Sequence, residues 1–371
     1  MRSYIYYTFG LFVLFAFFFS CKQVKLEDAD RKFAQGEYFV AADMYRKIYR
    51  KTSPKKRELR GEVALRMAES YRLINYPMRA NAAYANAIRY KVNDSTVVLQ
   101  YARSLQKVGD YKQAAHYYSE FLKLFPDNQF AKNGQEGSMS ASQWKANPTL
   151  YKVKRMDIFN SNRGEFSPML LPPDYDQIYF SSNRKEAISD TISGITGSKL
   201  NDIFMARKDE NGNWMKVEHL ESAVNTDSDE GTPSFSNTGT SMYYTHTPKL
   251  DSVGSTFPGI YISRRTGGSW SAGQKIEINK RDTLSVFAHP TISSTGDYLY
   301  FVSAMKGGYG GKDIWRARMV GDLVESVENL GADINTAGDE MFPYLRNDST
   351  LYFSSDGHVG MGGLDLYKSV Y

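Results

Sequence analysis

Hydrophobic positions fall into three successive patterns along the 371 residues. Tyr4 to Phe19 is one apolar run, interrupted by Thr8 and Gly10. From Lys22 to about residue 145, small and aromatic residues recur at helical spacing. From residue 148 onward the apolar residues come as short strands bounded by Gly, Asn, Asp and Ser. The pattern predicts a targeting segment (1–20), an α-helical array (21–146) and an all-β domain (147–371).

The helical part repeats. Ala41 and Tyr45, Ala80 and Tyr84, and Ala114 and Tyr118 occupy matching places; the last two pairs are 34 residues apart. Gly36-Glu37-Tyr38 and Gly109-Asp110-Tyr111 mark chain reversals. Five extra residues between the first and second copies fit the Thr52–Arg57 loop, and Phe130 to Trp144 reads as a closing helix. Alanine lets paired helices approach and tyrosine fills the adjacent gap. A 34-residue period of this kind resembles the tetratricopeptide repeat, and three copies suffice for a stacked core. That resemblance implies a groove for a peptide or partner protein; the plainer role is a spacer.

The β part also repeats. Four blocks share a proline entry (Ser167-Pro168, Thr232-Pro233, His289-Pro290, Phe342-Pro343) and a strand such as Ile178-Tyr179-Phe180 or Leu351-Tyr352-Phe353. Each has a further strand beginning at Asp202, Gly259, Asp313 or Asp365. Repeated blocks of ~50 residues, each with three strands, predict a β-propeller. The chain ends just after the third strand of block four. Either Tyr151–Phe159 supplies that blade's missing outer strand and closes a four-bladed ring, or the sequence is a piece of a larger one.

Composition narrows the function. Net charge is +5, which gives no reason to expect nucleic acid as the main partner. Residues 22–147 hold 23 Lys and Arg against 13 Asp and Glu; residues 148–371 hold 22 against 28. The basic half could face an acidic partner or anionic lipid, or be a solvated helix surface. One cysteine excludes an intrachain disulfide and a cysteine zinc site. That cysteine, Cys21, follows Phe18-Phe19-Ser20 directly after the apolar run, and resembles a relaxed bacterial lipobox. The resemblance implies a lipidated Cys21 and removal of residues 1–20; an uncleaved anchor and an ordinary signal peptide are the alternatives.

Gly310-Gly311-Lys312-Asp313 and Gly362-Gly363-Leu364-Asp365 share a pattern, and Asn225-Thr226 to Glu230 matches Asn335-Thr336 to Glu340. These strings resemble WD40-like repeats of the TolB type. With the lipobox and helical repeats in front, the order resembles the PorE-like outer-membrane lipoproteins of the Bacteroidetes type IX secretion and gliding apparatus. The resemblance implies a non-enzymatic scaffold, anchored by lipid in the outer membrane and facing the periplasm, whose partners are secretion or motility components. The family's OmpA-like domain is not in this sequence, so peptidoglycan binding does not carry over. A TolB-like envelope-integrity or ligand-sensing propeller is the alternative, and a propeller hydrolase a weaker one.

Candidate chemistry is sparse. Asp227, Asp229 and Glu230, and Asp339 and Glu340, are clustered carboxylates that calcium could use, but Asp and Asn at turns more often bond their own backbone. Asp202, Asp313 and Asp365 are expected to tie a strand start to a neighbouring loop. His116, His219, His246, His289 and His358 stand singly, and no Gly-x-Ser-x-Gly elbow occurs. Gly307–Gly311 lacks the ending of a phosphate loop. No catalytic residue, metal or cofactor is expected.

Overall fold

The computed structural model describes residues 24–221, 223–248, 257–282 and 284–370. Cys21 and the apolar run before it lie outside the described residues.

Among the described residues seven helices come first: α1 (Leu26–Ala34), α2 (Tyr38–Lys51), α3 (Arg57–Leu73), α4 (Pro77–Arg89), α5 (Ser95–Lys107), α6 (Tyr111–Leu124) and α7 (Gln129–Ala146). They stack as antiparallel pairs for the reason visible in the sequence. Ala41, Ala80 and Ala114 are buried at the helix crossings, and Tyr45, Tyr84 and Tyr118 are buried beside them. Each such ring contributes ~1.5–3 kcal/mol on burial, provided its hydroxyl finds a partner. Tyr45 donates to Asp30 at 2.7 Å, Tyr84 to Glu69, and Tyr118 to Gln106 at 2.7 Å. The pair turns use left-handed residues at matching positions: Gly36 (φ 77°), Asn75 (φ 57°) and Gly109 (φ 85°). Gly134 lies where a Cβ would stand 2.3 Å from the Tyr118 ring, so its hydrogen side chain is what lets α7 close over α6.

The strands form four blades around a common axis. Blade one is β1 (Glu165–Leu170), β2 (Gln177–Ser182), β3 (Asp202–Arg207) and β4 (Glu218–His219). Blade two is β5 (Asp229–Phe235), β6 (Ser241–Thr247), β7 (Gly259–Thr266), β8 (Ser269–Trp270) and β9 (Gln274–Lys275). Blade three is β10 (Ala288–Ile292), β11 (Tyr298–Ser303), β12 (Asp313–Val320) and β13 (Leu323–Asn329). Blade four has three strands, β14 (Glu340–Asn347), β15 (Thr350–Ser355) and β16 (Asp365–Val370). The outer strands β4, β9 and β13 go beyond the three per block that the sequence pattern predicts. The reading of Tyr151–Phe159 as blade four's outer strand is corrected: among the described residues, 151–156 pair with no strand, and β16 has no partner on its outer side.

Aromatic layers fill the gaps between successive blades. Tyr179 of blade one meets Phe235 and Trp270 of blade two, with ring centroids 5.0 and 6.3 Å away. Blades two and three share Tyr243, Ile260, Phe287 and Phe301; blades three and four share Val302, Ile314, Leu351 and Phe353. Two asparagines lock the third strands. Asn225 accepts from the Ile203 N–H at 2.8 Å and donates to the Ile203 carbonyl at 2.9 Å. Asn335 does the same to Ile314 at 2.7 and 2.9 Å. Each side chain imitates one rung of a sheet ladder. Asn335→Ala is expected to cost about 2–3 kcal/mol, because both backbone groups of a buried strand lose their partner. A urea titration followed by tryptophan fluorescence checks it.

Candidate partner-binding cleft

The four proline landmarks converge on the propeller axis. Ser167, Thr232, His289 and Phe342 all have φ between 51° and 54°, the left-handed region. The residue before a proline ordinarily avoids compact conformations and prefers an extended one, so these are four copies of one strained turn. Each coincides with a β-bulge between the first two strands of its blade. Bulges re-aim side chains, and here they direct Phe166, His289, Phe342 and the prolines into a cavity of about 270 Å³. Phe166 and Phe342 meet edge to face at 6.4 Å, and His289 stacks on Phe342 at 4.1 Å. Burial pushes the His289 imidazole down to about 3, so it is neutral, and its Nδ1 accepts the Phe342 N–H at 3.3 Å. The cavity is therefore apolar and uncharged.

Phe342 also borders a second, larger space of about 630 Å³ between the helices and the propeller. Its helical wall comes from α3 to α7, including Arg72, Tyr76, Arg103, Lys107 and Phe130; its propeller wall includes Lys312, Asp339, Asp356 and His358. Charges are mostly matched. Arg103 bonds Asp356 at 2.7 Å and Lys312 reaches Asp339 at 3.4 Å. Burial holds the Lys107 ammonium below its usual range despite the Asp356 charge.

Two grips hold the helices on the propeller. On blade one, the Phe39 N–H at the start of α2 points at the carbonyls of Gly194 and Ile195, each at 3.1 Å. Gly197 admits the Phe39 ring, which a Cβ would meet at 2.3 Å. On blade four, the loop before β16 lies on α5 and α7: Gln106 donates to Gly360 O at 3.0 Å and Asn133 to Gly357 O at 2.9 Å. A Cβ on Gly137 would stand 2.1 Å from Gly360 O.

Arg103 explains how this contact is written in the chain. It stands 15 residues before Tyr118, where the first two repeats carry the acids Asp30 and Glu69 that bond their tyrosines. Arginine there turns to Asp356 instead, and Gln106 takes over Tyr118. The break in the repeat is the interface.

The carboxylates singled out in the sequence serve turns. Glu230 accepts from Thr226 N and Oγ1 at 3.1 and 2.5 Å, and Glu340 from Thr336 N and Oγ1 at 2.8 and 2.7 Å. Ser161 and Glu165 repeat the pair in blade one, a match the sequence pattern had not brought out. Asp202 accepts the Ile188 N–H, Asp313 the Tyr309 N–H and Asp365 those of Met361 and Gly362, at 2.6–3.0 Å. The second oxygens of Asp202 and Asp313 are buried without a partner among the described residues. Asp229 bonds Asn201 at 2.9 Å, and Asp339 accepts the Lys312 N–H at 2.9 Å. Among the described residues no three metal-ligating side chains gather.

The histidines are dispersed. His219 bonds Asp202 at 2.7 Å, His246 bonds Glu230 at 2.8 Å and His358 faces Ile334 O at 2.9 Å, while His116 packs on Tyr117. The glycines of 307–311 close the loop before β12; Gly311 N–H donates to Gly338 O at 2.8 Å.

Burial raises the carboxyls of Asp229, Glu340 and Asp365. For Asp30 and Asp43 burial also acts upward. Bonds from Arg66 and Tyr45, and from Arg46 and Lys47, outweigh it and hold both below the usual range. The signs oppose. A carboxyl raised by folding binds its proton more tightly in the native state, so its contribution grows as pH falls and is complete below the ordinary values of 3.8 and 4.5. A lowered one contributes above 3.8 and is lost as acid protonates it. On acidification from pH ~7 to ~5 the unfolded chain protonates His289 near 6.5 while the folded chain keeps it neutral, which outweighs the carboxyl gain, so the propeller's urea midpoint, read by tryptophan fluorescence, is expected to fall. The helical midpoint, read by circular dichroism, is expected to hold there and fall only in stronger acid.

No family profile and no curated relative matches this chain. Solved propellers are similar to it at low identity. TolB from Acinetobacter baumannii is 17% identical, with a TM-score of 0.33, over 57% of this chain and 45% of its own. A putative TolB from Agrobacterium tumefaciens is 15% identical at TM-score 0.31, over 57% and 84%. A GH43 endo-arabinanase from Bacillus licheniformis is 12% identical at 0.34, over 60% and 80%. The chain thus spans less than half the length of the Acinetobacter protein. These likenesses accompany the propeller topology and assign no chemistry to it.

Proposed function

We propose that this protein is a non-enzymatic scaffold whose cleft between helices and propeller receives a partner protein. The observation that carries the reading is the continuity of two surfaces at Phe342. An apolar cavity ringed by prolines opens beside a charged cleft, the combination of anchor pocket and polar rim that protein recognition uses.

The finer reading follows the sequence. The helical pairs are tetratricopeptide repeats, Cys21 is acylated, and the protein sits on the outer membrane facing the periplasm. There it joins envelope proteins of the PorE-like type IX secretion or gliding assembly. Affinity purification of the full chain from its native host, with mass spectrometry, tests this. Secretion or motility components among the captured proteins support it; only Tol–Pal-type proteins would favour the TolB-like envelope-integrity alternative. Cys21→Ala is expected to abolish acyl labelling and release the protein from the membrane fraction. Retention on the membrane without label would overturn the lipidation reading.

A further inference from the structure

The stacked helices present two edges, and the propeller takes one of them. The start of α2 and the end of α5 touch the propeller through Phe39 and Gln106. The opposite edge holds the end of α2, the start of α3 and the end of α4. The length of α2 sets the two edges about 20 Å apart. Arg50, Lys51, Lys55, Lys56, Arg89 and Lys91 stand on this far edge, and all are exposed. Two contacts gather them. Arg60 lies over the rings of Tyr49 and Tyr90, 4.1 and 5.8 Å from their centroids, and Arg57 donates to Arg89 O at 3.3 Å.

Their charge is unmatched. Elsewhere in the helices cations stand beside acids: Arg31 with Asp28, Arg46 and Lys47 with Asp43, Arg66 with Asp30 and Glu62, Arg72 with Glu69. None of the six far-edge cations enters such a pair among the described residues. Stretches 50–60 and 89–95 hold two acids, Glu58 and Asp94. Asp94 is engaged at the start of α5, where it accepts the Thr96 N–H at 2.8 Å. Helix termini account for part of the pattern only. Arg50, Lys51 and Arg89 close helices, where a cation suits the dipole. Lys56 and Arg57 open α3, where a cation opposes it, and Lys56 makes no capping bond. Asp94, Asp110 and Asn128 open α5, α6 and α7 and do make one. The start of α3 thus keeps positive charge where a polar or acidic cap would be more stable.

We propose that this far edge is the face the protein lays on an anionic phospholipid surface. The proposal rests on the reading that the segment before α1 holds the protein at a membrane, and adds which face meets the lipid. Asp30 accepts from Tyr45 at 2.7 Å, so α1 followed back to Leu26 runs along the second half of α2 toward Arg50 and Lys51. The chain therefore enters the helices at the cationic edge, with Lys25 exposed there, and Cys21 and the apolar run come just before that point in the sequence. A lipid chain joined to a polybasic surface is a combination that anchors stably. The far-edge cations line neither of the cavities described above, so they offer a charged face to headgroups and not a pocket to a peptide. Leu124 and Phe125, at the end of α6 on the same edge, are 67% and 43% exposed and suit the boundary between headgroups and acyl chains. The propeller then stands beyond the helices, held off the surface by their length.

The test is amine labelling of the full chain on vesicles of phosphatidylcholine, alone or mixed with phosphatidylglycerol. Acetylation by an N-hydroxysuccinimide ester is mapped by peptide mass. Lys51, Lys55, Lys56 and Lys91 are expected to react about fivefold more slowly on the anionic vesicles, while Lys216 and Lys280 of the propeller keep their rates. High salt is expected to remove the difference. Lys55→Glu with Lys56→Glu is expected to restore the rates of Lys51 and Lys91. Equal rates for the wild-type chain on both vesicles would overturn the proposal. Slow labelling in native envelopes, with equal rates on the two vesicles, would overturn it in favour of an acidic protein partner. Flotation with phosphatidylcholine vesicles reports the tether alone. A chain that fails to float there and is still protected on anionic vesicles would refute the tether and support the edge.

Discussion

Replacing Glu340 with alanine is expected to destabilise the propeller by about 3–5 kcal/mol, the largest effect of any single side-chain truncation considered. Glu340 is wholly buried, and its two oxygens accept from the Thr336 backbone, the Thr336 hydroxyl and Ser355. Alanine leaves those donors facing a void at the place where blade three hands over to blade four. Glu340→Gln keeps the shape but presents an amide donor to a donor, so about half the loss is expected. It also removes a titrating group. Because burial raises the Glu340 carboxyl, its proton binding offsets part of the stability that His289 loses between pH ~7 and ~5, and the glutamine variant should fall more steeply. Urea midpoints at the two pH values, for the three proteins, decide the matter. An equal pH response in wild type and Glu340→Gln would show that the group is not perturbed.

Gly137→Val is expected to detach the helices from blade four. The added side chain begins 2.1 Å from a backbone carbonyl that has no room to retreat, since Gly360 O is also held by Gln106. Overpacking of this kind costs about 1–3 kcal/mol. The helix itself gains a little when glycine is replaced, so the damage is confined to the contact. The expected reading is a wider separation of the helical and propeller midpoints and a rise of tenfold or more in amide exchange across loop 357–363. Unchanged midpoints with unchanged protection would mean that the two domains are not coupled there.

The parts of the structure legible in the sequence are those in which one residue type is forced by one local geometry. Alanine and tyrosine at 34-residue spacing specify helix pairs, because only a small residue fits the crossing and only a long ring reaches the acid 15 residues back. An aspartate at a strand start specifies a tied loop. The outer strands β4 and β9 are two residues long and largely solvent-facing, too short for an alternating pattern to register. The left-handed residues before the prolines contradict the preference of the dipeptide, so local reasoning points away from the cavity they build. The cleft was hidden for a different reason. It is made where the repeat is broken, at Arg103 and Gln106, and by glycines whose value lies in what approaches them.

The two grips fall on the first and last of the described blades: α2 holds blade one, and α5 with α7 holds blade four. The separation of those helices therefore also bears on the distance between those two blades. Stacked helix pairs bend by small rotations at each interface. A ligand that straightened the array would do work on the ring, and one that spread those two blades would change the bend of the array. Linkage makes the two effects equal in free energy. The helical half is in this sense a caliper whose jaws are the first and last blades.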